Sequence, residues 1–293
     1  MPVVALVVLF PRFSPAAMNP RDRYQPKFYQ ILREGSGSFH NGDYAKAKVQ
    51  IDEAVALARK IALAGDLASA LRMSGDLEAA SGSFSVAISR YREALTLRTV
   101  VGDRICYPAI LEALGDAETK TGDLASAQTD LKNAFRMYKD LGDATGTAMA
   151  ARDLGTVAYE LGSWVEANQW FSVAMAALPA DEKPDIVADI QGRQALLLSA
   201  HGDTVGARTL LAKTMAHWQS RNHPRWIAQT QFQLAQVEAR AGNIGEARRL
   251  FDASCNAFHA VGDKYGEGQC VKASAALPPD TRNRTSTRKA QGP

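Results

Sequence analysis

The chain has 293 residues, of which 46% are hydrophobic, 22% charged and 8% aromatic. This is the balance of a soluble globular protein, and its Ala-rich, aromatic-poor content favours closely packed helices over a β-sandwich. The net charge is +3, and Arg282, Arg284, Arg288 and Lys289 against Asp280 account for all of it, so the body is neutral and offers no basic face for binding nucleic acid through its phosphates.

Residues 1–25 read as an N-terminal extension. Its run PVVALVVLF holds nine apolar residues, too few to span a bilayer. The run resembles the apolar centre of a signal peptide, with SPAA as a poor cleavage site, but no Lys or Arg precedes it. The other reading starts the natural chain at Met18. Cys106, Cys255 and Cys270 form no C-x-x-C pair and no even framework, which points to a reducing, cytoplasmic compartment. A secreted or periplasmic location is the alternative if residues 1–17 are a signal peptide.

From residue 26 the chain repeats itself every 40 residues. Gly42, Gly82, Gly122, Gly162, Gly202 and Gly242 form one column. Asp43, Ser83, Asp123, Ser163, Asp203 and Asn243 follow it, and each is a preferred helix N-cap that accepts a backbone N–H. Ala47, Ala87, Ala127, Ala167, Ala207 and Ala247 come next. Four residues on are Ile51, Tyr91, Leu131, Phe171, Leu211 and Phe251, and three beyond those are Ala54, Ala94, Ala134, Ala174, Thr214 and Ser254. Small, large, small at i, i+4 and i+7 is one face of a helix. The Gly column then marks the hinge of a helical hairpin, where a left-handed residue carries no Cβ penalty. Upstream, Gly35, Gly75, Gly115, Gly155, Ala195 and Ala235 keep one position of the first helix small.

Breaks between hairpins fall at Gly102-Asp103, Gly142-Asp143 and Gly262-Asp263, with PADEKPD and RNHP replacing Gly-Asp in two places. Pro184 and Pro224 fall at the first turn of the helices that follow, where Pro is tolerated. In the first repeat the break is expected late, at Gly65-Asp66. Residues 264–276 read as a short capping helix. Residues 277–293, with Pro278-Pro279 and scattered Arg and Thr, read as a disordered basic tail.

These columns resemble the tetratricopeptide repeat family, whose motif runs W-x2-L-G-x2-Y and then A-x3-F. The matching residues are Leu154-Gly155 with Ala167 and Phe171, Leu114-Gly115 with Ala127 and Leu131, Gly75 with Ala87 and Tyr91, and Ala247 with Phe251. The usual unit is about 34 residues, and the longer unit here is similar to those of bacterial signalling regulators and scaffold proteins. HEAT and armadillo units share a period near 40 but not the Gly and Ala columns. The resemblance implies an all-α fold: a right-handed α-solenoid of about six hairpins over residues 26–276, one domain with a continuous core.

Catalytic and ligand motifs are absent. There is no phosphate loop, no H-E-x-x-H and no Cys/His cluster at zinc spacing, so no enzyme, metal or cofactor is expected. The resemblance implies a non-enzymatic scaffold or adaptor whose concave groove, lined by the first helix of each hairpin, holds a protein or peptide. Carried over by position, the groove residues are Arg72, Glu112, Met149, Arg152, Tyr159, Arg193 and Gln229. Asp76, Asp116, Lys120, Glu160, Gln236 and Arg240 share that face. Arg152 and Arg193 occupy one face in adjacent repeats and are expected to present two guanidiniums to an acidic segment. No register of three repeats supplies the Lys and Asn set that grips a C-terminal carboxylate in one subclass. The alternative is the sensor module of a signalling or transcriptional regulator whose effector lies on another chain. Self-association stays open.

Overall fold

The computed structural model describes residues 20–40, 42–179 and 183–279. The apolar run near the N-terminus, residues 180–182 and the tail from 280 onward lie outside the described residues. Among the described residues the elements are thirteen α-helices: α1 (Pro20–His40), α2 (Tyr44–Ile61), α3 (Ala64–Ala80), α4 (Phe84–Val101), α5 (Tyr107–Thr121), α6 (Leu124–Leu141), α7 (Ala144–Glu160), α8 (Trp164–Ala177), α9 (Pro184–Ala200), α10 (Thr204–Ser220), α11 (Pro224–Arg240), α12 (Ile244–Ala260) and α13 (Lys264–Ala275). The first twelve pair as six hairpins, and α13 packs on α12 as a cap. α1 begins at Pro20, ahead of the expected solenoid boundary at 26, and carries Pro26 inside it.

Gly162 shows why the hinge residue recurs. At φ +72° its N–H reaches the Tyr159 carbonyl (2.9 Å) and the next N–H, of Ser163, reaches back to Ala158 (2.8 Å). Carbonyls that the end of α7 would leave unpaired are thereby satisfied. The other five hinge glycines, Gly42, Gly82, Gly122, Gly202 and Gly242, sit at φ +77° to +88°.

The break between the first two hairpins differs from expectation. Ala62 turns left-handed at φ +53° and α3 begins at Ala64, so Gly65 and Asp66 lie in the first turn of α3. Asn222 takes the corresponding place before α11 at φ +52°. Stacking of hairpins of equal length fixes the phase, and it outweighs the roughly 1–2 kcal/mol that a left-handed residue with a Cβ costs.

The N-cap column also splits. Asp43, Asp123 and Asp203 accept the backbone N–H three residues on, as do Asp143 and Asp263 at the breaks between hairpins. Ser83, Ser163 and Asn243 make no side-chain cap. Asn243 instead donates its amide to Glu238 (2.7 Å). The carboxylate adds charge to reach, and a helix N-terminus attracts a negative charge.

Inside each hairpin the small column of the first helix meets the large column of the second. A Cβ on Gly155 would stand 2.5 Å from the Phe171 ring, and one on Gly115 would stand 2.6 Å from Leu131. Ala87, Ala127 and Ala167 are fully buried beside them. In the fifth and sixth hairpins Ala195 packs in one cluster with Leu211, and Ala235 in another with Phe251.

Cys255 and Cys270 are joined by a disulfide between α12 and α13, with their Cα atoms 5.5 Å apart. Two of the three cysteines thus pair where their spacing in the sequence suggested no framework. The pairing follows from antiparallel packing of neighbouring helices, which a spacing of fifteen residues does not advertise. Cys106 is free and exposed.

Candidate ligand groove

Successive odd-numbered helices touch one another: α1 with α3, α3 with α5, α5 with α7, α7 with α9 and α9 with α11. They therefore lie on the inside of the curve, and their free face surrounds a cavity of about 790 Å³. Arg72, Glu112, Met149, Arg152, Tyr159, Arg193 and Gln229 all lie on its wall, together with Asp76, Asp116, Lys120, Glu160 and Gln236. Arg240 stands apart and donates to the Tyr159 hydroxyl at 3.1 Å.

The two arginines are not free to meet a partner. Arg152 grips both oxygens of Asp153 (2.8 and 2.9 Å), bonds Asp189 (3.0 Å) and stands 3.9 Å from Glu112. Burial opposes its charge, but these carboxylates hold its pKa above the ordinary value. Arg193 bonds Asp189 (3.3 Å) and the Thr156 hydroxyl (2.5 Å). Burial likewise opposes the Asp189 charge, and Arg193 and Arg152 hold its carboxyl below the usual range. The expectation of two guanidiniums offered to an acidic segment is thus corrected. A sequence shows that Arg152 and Arg193 share a face, but not that Asp153 and Asp189 turn onto the same spot.

Around this network the wall is acidic. Five cations line the cavity, Arg72, Lys120, Arg152, Arg193 and Arg225, against eight carboxylates, Asp76, Glu112, Asp116, Asp143, Asp153, Glu160, Asp189 and Asp263. Glu112 accepts the Tyr138 hydroxyl at 2.9 Å. Burial, helped by the neighbouring Asp153, pushes its carboxyl up to about 7. Burial also raises the Tyr138 and Tyr91 hydroxyls, which face Glu112 and Asp76 respectively.

One side of the cavity is bounded by a contact that sequence reasoning missed. The rings of Phe84, at the start of α4, and Tyr265, on α13, meet edge to face at 4.8 Å. The Lys120 ammonium lies 6.0 Å from the centre of the Tyr265 ring. Burial raises the Tyr265 hydroxyl to about 12, with Asp116, Glu160 and Asp263 adding to the effect. The superhelix therefore brings its last helix back to its second hairpin. Phe39, Tyr91, Trp226, Phe232 and Gln269 also line the wall. Curvature, a sum of small rotations between repeats, has no local signal in the chain.

Among the described residues no group of three or more His, Cys, Asp or Glu is placed to hold a metal ion. Nor is any described helix long and apolar enough to cross a membrane.

The tetratricopeptide repeat family model matches residues 107–180, the third and fourth hairpins. These are tetratricopeptide repeats. The remaining hairpins carry the same hinge and packing columns at the same period. No curated protein sequence matches the chain. Solved structures share the fold. A Rap protein complexed with Competence and Sporulation Factor superposes with a TM-score of 0.64 at 14% identity, over 85% of this chain and 74% of the other. The Rap conjugation gene regulator of plasmid pLS20, in complex with the Phr* peptide, gives 0.63 at 13% identity, over 94% and 83%. The apo form of the quorum sensor NprR from B. thuringiensis gives 0.60 at 12% identity, over 87% and 72%.

Proposed function

We propose that the chain is a non-enzymatic protein-interaction scaffold that holds an extended peptide or protein segment in its concave cavity. One observation carries this reading. The hinge and packing columns repeat, whereas the side chains on the inner wall differ from hairpin to hairpin and converge on one cavity. Constant positions build a solenoid; varied polar and aromatic positions on its inner face are free to recognise a ligand. A fold shared with a Rap regulator in complex with the Phr* peptide supports a peptide as the kind of ligand held.

The contacts are Tyr159, Met149, Gln229 and Arg72, with Glu112 behind them. Arg152 and Arg193 act as the frame that holds the wall together. The second reading, a sensor for an effector on another chain, rests on the Phe84–Tyr265 contact: an occupant that parts these rings changes the outline shown to a partner.

A photo-crosslinking residue placed at Met149 or Gln229 tests the reading against the same residue at Val173, which is exposed on α8. Capture of one shared partner from both inner positions, and not from Val173, is the expected result. Capture from Val173 alone places recognition on the convex face and contradicts the proposal.

A further inference from the structure

Resting on that reading, we propose that the segment held in the cavity is cationic: it carries an Arg or Lys side chain that seats on the acidic floor formed by Glu112 and Asp116 of α5. The argument is a matching of charges. Each of the five cations on the wall has a carboxylate of its own: Arg72 with Asp76 at 3.1 Å, Lys120 with Asp116 at 3.9 Å, Arg152 with Asp153 at 2.8 Å, Arg193 with Asp189 at 3.3 Å and Arg225 with Asp263 at 2.8 Å. By count three carboxylates are then left over: Glu112, which stands 3.9 Å from Arg152 and shares it with Asp153 and Asp189, Asp143 and Glu160. Asp143 caps α7 through the Gly146 N–H at 2.8 Å, which leaves Glu112 and Glu160. Outside the C-terminal tail the chain is neutral overall, so this excess belongs to the cavity and not to the body at large.

Asp116 is half exposed, and among the described residues its ion pair is the long Lys120 contact. It sits one turn from Glu112 on the same face of α5. Aromatic rings of Tyr91, Tyr159, Trp226 and Tyr265 surround the space, and such faces favour a guanidinium or ammonium. A carboxylate-rich concavity with low-dielectric walls also focuses its field on an incoming cation.

A proton accompanies binding. Glu112 faces Tyr138 of α6, Arg152 and Asp153 of α7 and Asp116 on its own helix, and Arg72 and Asp76 of α3 line the same cavity. With the cavity empty its carboxyl titrates at about 7. A cation beside it favours the ionised form, so binding expels the proton and tightens as pH rises from 6 to 8.

Selection from a random hexapeptide library on the full chain at pH 8 provides the test, with Met149→Trp as a variant that fills the cavity. The expected peptides carry Arg or Lys at one fixed position and lose at least tenfold in affinity when it becomes Ala. They also bind several-fold more weakly at pH 6, and they fail on Met149→Trp. Asp116→Asn, a half-exposed change, weakens them without altering the melting temperature, and Glu112→Gln removes the pH dependence. Peptides that Met149→Trp excludes but that are acidic or uncharged overturn the cationic inference and leave the proposed function standing. No binding, or binding indifferent to Met149→Trp, overturns both.

Discussion

The seam inside each hairpin and the inner wall of the solenoid are built from the same helices under opposite rules. In the seam Gly155 faces Phe171, Gly115 faces Leu131 and Gly75 faces Tyr91; position decides residue, and the pattern returns every 40 residues. On the wall, Arg152, Glu112, Asp189 and Arg193 come from three different repeats and form one network that occurs once. A seam can be read from any single repeat. A wall exists only after the repeats are stacked and curved.

The comparison is broken most severely at Arg152. Replacing it with Leu leaves Asp153, Asp189 and Glu112 buried without their shared cation. Removing one partner of such a network costs about 3–5 kcal/mol, measurable by thermal or urea unfolding. A near-neutral Arg152→Leu would make the residue a free contact after all. In the seam, Gly155→Leu drives a side chain into the Phe171 ring at a cost of roughly 1–3 kcal/mol. The reverse change where the seam already accepts a Cβ, Ala195→Gly, is expected to cost only about 0.5–1 kcal/mol of helix propensity. Equal effects at 155 and 195 would erase the distinction between the two halves of the solenoid.

Glu112→Gln sharpens the contrast in another way. The folded carboxyl binds its proton more tightly than the unfolded one, with a value near 7 against an ordinary 4.5. Its contribution to stability is therefore present below about pH 4.5 and is lost as pH rises through 7. The Gln variant is expected to melt above the parent at pH 8, with the difference shrinking toward pH 4. A further change lies at the phase of the superhelix. Ala62 occupies a left-handed position at φ +53°, and Ala62→Gly is expected to raise stability by about 1 kcal/mol.

Much of this was legible beforehand, and particular residues show where legibility ends. The hinge at Gly162 and the seam at Ala167 follow from local rules, a left-handed C-terminal residue and a close helix contact, so one repeat suffices to read them. The break at Ala62 was misplaced because Gly65 carries the local signal, while stacking sets the position. Ser83 and Ser163 look like caps in sequence and make no cap bond. The inner face was legible as a set of positions on helices, and Arg72, Glu112, Met149 and Tyr159 do share the cavity. Its charge was not, because the pairing of Arg152 with Asp189 spans two repeats, and that of Tyr265 with Phe84 spans most of the chain. The Cys255–Cys270 bond belongs to the same class of facts.

Hydrogen exchange of the full chain, with and without a hexapeptide selected on it, bears most directly on the inner wall as the recognition surface. Protection is expected to increase on α5, α7, α9 and α11 and at the Phe84–Tyr265 contact, with α6, α8 and α10 unchanged. Protection confined to those outer helices, or to neither set, would contradict a concave binding face.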